Sequence, residues 1–153
     1  MGARYGKAKG PYVGTSGGGG TPGENVPGWI TPITVQHTAF QTAGLTQDIS
    51  LYTLPAGGLI HGVKLKQSVA FAGTGITSYS LSIGFVGALD DLLIDYPVDA
   101  APADDLFAIA ATFDSRNHAA TVDVRIRATA VGANLDQSTA GTAQIWLLVS
   151  RPV

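Results

Sequence analysis

Apolar side chains recur at every second position through most of this chain, and that period leaves few folds open besides half-buried β-strands. Tyr79, Leu81, Ile83 and Phe85 alternate with Ser80, Ser82 and Gly84. Val122, Val124, Ile126 and Ala128 alternate with Asp123, Arg125, Arg127 and Thr129. Leu59, His61, Val63 and Leu65 share one predicted face, with Lys64 and Lys66 on the other. Ile33, Val35, His37 and Ala39 form another such row. Leu45, Ile49, Leu51 and Thr53 do the same, with Asp48, Ser50 and Tyr52 opposite. Gln144 to Ser150 is a short apolar strand, and a further strand is expected within Leu106 to Phe113.

The breaks between these runs carry turn chemistry: Pro55-Ala56-Gly57-Gly58, Ala72-Gly73-Thr74-Gly75 and Gly132-Ala133-Asn134. Only Ala88 to Tyr96 has the spacing for a short helix. Seven or eight strands with almost no helix predict an all-β antiparallel sandwich, with the jelly roll first among its topologies. No internal repeat is visible.

The first thirty residues differ in kind. Gly2 to Gly28 holds ten of the twenty glycines, together with Pro11, Pro22 and Pro27. Such a stretch cannot bury enough apolar surface to offset its ordering entropy. The chain therefore divides into an extended N-terminal arm, 1–30, and a sandwich domain, 31–153. Spaced anchors on the arm suit it to ordering on a partner: Arg4, Tyr5, Lys7, Lys9, Tyr12 and Val13.

Charge narrows the function. Charged residues make up 13% of the chain and the formal net charge is -2, which argues against binding nucleic acid through a basic surface. No apolar run approaches the roughly 18 residues that span a bilayer as a helix. The N-terminus has no apolar stretch of signal-peptide type, so synthesis in the cytoplasm is expected. The absence of cysteine removes disulfides, thiolate nucleophiles and Cys-ligated zinc.

No motif carries chemistry in its required setting. Gly14-Thr15-Ser16-Gly17-Gly18 matches the nucleophile-elbow pattern but lacks the strand before it and the helix after it. His37, His61 and His118 have no zinc spacing and read as hydrogen-bonded core or inter-subunit histidines. No catalytic residue, metal site or cofactor is expected, and the chain reads as a non-enzyme. Asp90, Asp91, Asp95, Asp99, Asp104 and Asp105 place six of the eleven acids within sixteen residues. That stretch is a solvated loop, a surface that docks a neighbour's basic residues, or a hard-cation site. Arg125 and Arg127 share a strand face with Asp123. They form a polar outer face, or a salt-bridge ladder to the acidic loop of another copy. Asp90, Asp91, Arg125 and Arg127 are thus the domain's candidate partner-binding residues.

Three segments resemble virion proteins of tailed bacteriophages. The first is Thr53-Leu54-Pro55-Ala56-Gly57-Gly58-Leu59-Ile60-His61-Gly62-Val63-Lys64-Leu65-Lys66. The second runs from Tyr79 to Gly84, and the third from Ala133 to Gly141, leading into Ile145-Trp146-Leu147-Leu148. The resemblance spans roughly Ile33 to Ser150 and leaves the arm outside. It implies a small β-sandwich on a virion, most naturally a capsid decoration (cement) protein on the head exterior. Its partners would be the major capsid protein and further copies of the chain in a homotrimer, with no nucleic acid and no membrane. A tail or baseplate component, or a carbohydrate- or host-binding module on the virion surface, is the alternative. No functional residue carries over from the resemblance.

Overall fold

A computed structural model of the chain describes residues 27–100, 108–110 and 118–151. The arm residues Arg4, Tyr5, Lys7, Lys9, Tyr12 and Val13 lie outside these, as do Asp104 and Asp105. Among the described residues nine strands follow in order: β1 (Gly28–Trp29), β2 (Ile33–Gln36), β3 (Thr46–Leu54), β4 (Leu59–Gly73), β5 (Ser78–Phe85), β6 (Ala88–Pro97), β7 (Ala108–Ala110), β8 (Val122–Val131) and β9 (Ser138–Ser150).

They form two antiparallel sheets. In the first, β9 pairs with β4 on one side and with β1 and β2 on the other, and β7 pairs with the far side of β4. The second has the order β3-β8-β5-β6. From β2 onward the chain alternates between the sheets, except at the β5–β6 hairpin. The predicted turns 55–58 and 132–134 fall between strands, the third begins inside β4, whose last two residues are Ala72 and Gly73, and β7 lies within the expected Leu106–Phe113 segment.

The core is the space between the sheets. Leu81, Ile83 and Tyr79 of β5 meet Ile126 and Val124 of β8, and Leu65, Ile145 and Leu147 approach from the other sheet. All of these have essentially no solvent exposure. Phe71 and Tyr79 pack ring to ring at 4.9 Å between centroids. The antiparallel alternation follows from pleating: each strand presents every second side chain inward.

Four expectations are corrected, each where residues are inserted into a ladder or end it. Ala88 to Tyr96 is not a helix but most of edge strand β6. Its register against β5 shifts twice, so Leu92 and Leu93 are both buried although adjacent. That doubled apolar position imitates helical spacing in the sequence. In β3 a register shift between Ser50 and Tyr52 moves Tyr52 and Leu54 onto the inner face and Thr53 outward. In β4 a shift between Ile60 and Gly62 lets Ile60 and Val63 both point inward, and His61 leaves the apolar row. The period-two run of β2 stops at Gln36, and His37–Ala39 form one 3-10 turn.

The β5–β6 crossing depends on Gly84. A Cβ there would overlap the Ala88 carbonyl oxygen and the Leu89 backbone, so only glycine admits this close approach. The shifts in β6, with Asp90 and Asp95 along it, also make this edge a poor template for another strand.

Candidate functional site

Both sheets have outer faces, and they differ in chemistry. The second sheet presents a polar face. Register places Asp48 opposite Arg127, Ser50 opposite Arg125 and Thr53 opposite Asp123, all outward because Ile49, Val124 and Ile126 point inward. Asp48 holds both arginines: its carboxylate lies 3.4 Å from Arg125 Nε and 3.6 Å from Arg127 Nη2. Asp123 lies 3.7 Å from Arg125 Nε and accepts a short hydrogen bond from Ser50 Oγ. Arg125 and Arg127 therefore have carboxylate partners in their own chain. Asp48 was not singled out by sequence, because its pairing with β8 is set by register rather than by spacing along the chain.

Beside this ladder a groove of about 530 Å³ opens at the β5–β6 hairpin. Thr46, Ser82, Asp90, Asp95, Arg127 and Thr129 line it. Two of the predicted residues, Asp90 and Arg127, thus come together in one groove. Arg125 sits in the ladder, and Asp91 is half-buried on β6. Asp95 adopts φ +39, an uncommon backbone state for a residue with a side chain. Ser82 holds it there: the Asp95 N–H donates to Ser82 Oγ at 2.9 Å, and Ser82 Oγ donates to Asp95 Oδ1 at 3.1 Å. Among the described residues neither Asp90 nor Asp95 forms an ion pair, and no group of side chains is arranged to hold a metal.

The first sheet presents an aromatic and cationic face. Inward Ile145, Leu147 and Val149 leave Gln144, Trp146, Leu148 and Ser150 pointing outward. Trp29 of β1 pairs with Leu148, which in turn pairs with Gly62 of β4. The Trp29 indole reaches over Gly62, where an added methyl group would stand 3.9 Å from Trp29 Cη2, an ordinary van der Waals contact. Trp29 is 42% exposed. One rung further, Lys64 Nζ lies 5.3 Å from the centre of the Trp146 ring, a cation–π distance. Trp29 is thus exposed, whereas Trp146 is half-buried and carries the Lys64 cation over its ring; aromatic side chains are enriched in protein contacts relative to the rest of a surface. Its sequence signal was the outward half of the Gln144–Ser150 alternation, which an apolar strand conceals.

The histidines serve packing. His61 Nε2 and Ser150 Oγ lie 2.7 Å apart, a cross-strand hydrogen bond between β4 and β9. His118 packs on Phe85 with 4.9 Å between ring centres, and its carbonyl accepts from Gly57 N–H at 2.6 Å. His37 opens the 3-10 turn.

No family model and no curated protein matches the chain. Among solved structures the chain is similar to one in the cyanophage Pam1 capsid asymmetric unit, with a TM-score of 0.53 and 17% sequence identity. The match covers 93% of this chain and 99% of that one, so whole chain corresponds to whole chain. At that identity the likeness is one of fold.

Proposed function

We propose that this chain is a structural protein of a bacteriophage virion, and specifically a decoration subunit bound to the outside of the head. The observation that carries the reading is the whole-chain fold likeness to a component of a cyanophage capsid asymmetric unit. It meets an independent sequence resemblance between roughly Ile33 and Ser150 and tailed-phage virion proteins. The strand order supports it further. We read β2-β9-β4-β7 packed on β3-β8-β5-β6 as a jelly roll, a fold used by capsid proteins.

The two outer faces suit the task. The Trp29–Leu148–Trp146–Lys64 face docks on the shell, since buried tryptophan dominates the energetics of protein contacts. The glycine-rich arm enters the sandwich at β1, beside Trp29, so arm and docking face make one continuous footprint. Arg4, Tyr5, Lys7, Lys9, Tyr12 and Val13 extend that footprint along the shell. Linking two weak contacts in one chain multiplies their affinity. Three copies around a symmetry axis would multiply it again. The protein stabilises the shell by binding and performs no catalysis.

Sedimentation with purified expanded shells tests this. The full chain co-sediments, and a chain lacking residues 2–28 retains its fold by circular dichroism but binds at least about tenfold more weakly. Equal binding by the truncated chain would remove the arm from the account. No binding by the full chain to any shell would remove the decoration role.

A further inference from the structure

We infer that the first sheet docks on an acidic protein surface, whose carboxylates meet Lys66 and whose apolar recess, about 13 Å further along, takes Trp29. The inference rests on that face being the one that docks, and it names the chemistry of what the face meets.

The two sheets divide the charge between them. The five strands of the first sheet contain no aspartate or glutamate and two lysines, Lys64 and Lys66. The four strands of the second hold Asp48, Asp90, Asp91, Asp95 and Asp123 against Arg125 and Arg127. A face with ammonium groups and no carboxylate in its strands complements an acidic partner. The second sheet repels the same partner, so the division also sets which way round the protein binds.

Register arranges the first face in rows. Thr34, Gln144 and Lys66 stand opposite one another across β2, β9 and β4. Two residues along β9, Trp146 faces Lys64, whose ammonium lies over the indole. Two residues further, Leu148 stands between Trp29 and Gly62. The first and last rows are thus four residues of strand apart, about 13 Å, with a cation at one end and an apolar plate at the other. The Lys66 ammonium forms no ion pair or hydrogen bond with a described residue.

The plate is Trp29. Its backbone and that of Gly62 are two strand spacings apart, roughly 9.5 Å. Trp29 Cη2 nevertheless comes within 3.9 Å of a carbon added at Gly62. The indole therefore lies along the sheet across Leu148 instead of standing off it, and much of it stays exposed. An apolar recess covers such a ring without stranding a polar group. Two lysines beside a tryptophan suit a protein surface. Nucleic acid and anionic membranes take runs of cations, and these strands carry no arginine.

Matched variants of the full chain test this. Thr34→Lys and Thr53→Lys add the same charge to opposite sheets, and Lys66→Glu reverses one. Each is sedimented with purified shells at about 0.01 M and about 1 M salt, where charge acts over about 30 Å and about 3 Å. At low salt Lys66→Glu binds about fivefold more weakly and Thr34→Lys about twofold more tightly, changes the size of one exposed charge contact. Thr53→Lys matches the parent, and at high salt all four chains converge. The same chains are passed over poly-L-glutamate beads. Thr34→Lys elutes at higher salt than Thr53→Lys, and Lys66→Glu at lower salt than the parent. Shell binding that ignores salt and Lys66→Glu, or equal gains from Thr34→Lys and Thr53→Lys, overturns the inference and leaves the decoration role standing. The expected order on the beads without binding to any shell removes the decoration role alone. Beads that do not separate the four chains overturn the inference whatever the shells do.

Discussion

Replacing Asp48 by asparagine removes one charge that two arginines share. Arg125 Nε and Arg127 Nη2 lie 3.4 and 3.6 Å from its oxygens, and the three side chains are 31%, 41% and 31% exposed for Arg125, Arg127 and Asp48. In bulk water each contact would be worth about 1 kcal/mol, and at an effective dielectric of 20 several times that before desolvation is subtracted. Measured exposed pairs fall between about 0.2 and 1 kcal/mol. Two such pairs on one carboxylate, together with the repulsion between the guanidiniums once it is gone, set the expected loss at about 1 to 1.5 kcal/mol. Urea unfolding followed by tryptophan fluorescence reads this directly. With a slope of about 2 kcal/mol per molar, the midpoint falls by roughly 0.6 M. In 1 M salt the Debye length shrinks to about 3 Å and the difference contracts by half or more. A loss below about 0.3 kcal/mol that salt does not change would show that Asp48 does not hold the pair, and the arginines would again be candidates for contacts between copies.

Other positions give sharper contrasts. Gly141→Ala should cost about 3 kcal/mol in the same assay, because φ is +143 there and the added carbon would strike the Phe71 ring. Burial pushes the Tyr79 hydroxyl up to about 12. The unfolded chain therefore releases that proton near pH 10 while the folded chain keeps it, and stability falls as pH rises from about 10 to 12, by at most about 2–3 kcal/mol. Thermal midpoints across that window should fall less steeply in Tyr79→Phe than in the parent; parallel curves would contradict the assignment. Trp29→Ser should leave the thermal midpoint within a few degrees while weakening shell binding at least about tenfold.

The sandwich was legible because most strands obey the pleat. Tyr79 to Phe85 and Val122 to Val131 lie in the structure as their alternation predicts, with serines and arginines outward. Reading failed where one extra residue entered a ladder. A shift at Leu51 or His61 reverses the faces on either side of it, and nothing in the local sequence marks it, since its cause is the partner strand. β6 misled most strongly, because its two shifts gave Leu89, Leu92 and Leu93 a helical spacing. The candidate residues were half legible. Asp90 and Arg127 meet in the groove although 37 positions apart in sequence, whereas Asp48, Trp29 and Trp146 gain their meaning only from the register of β3 with β8 and of β1 and β4 with β9. Charge and aromatic residues were visible one by one; which of them share a face is a property of pairing.

The decoration role is tested most directly by electron cryomicroscopy of phage heads purified without this protein and then saturated with it. The account predicts added sandwich-sized density at symmetry-related positions on the head exterior, with the Trp29–Trp146 face towards the shell. Heads unchanged by saturation, or density found only on the tail, would contradict it.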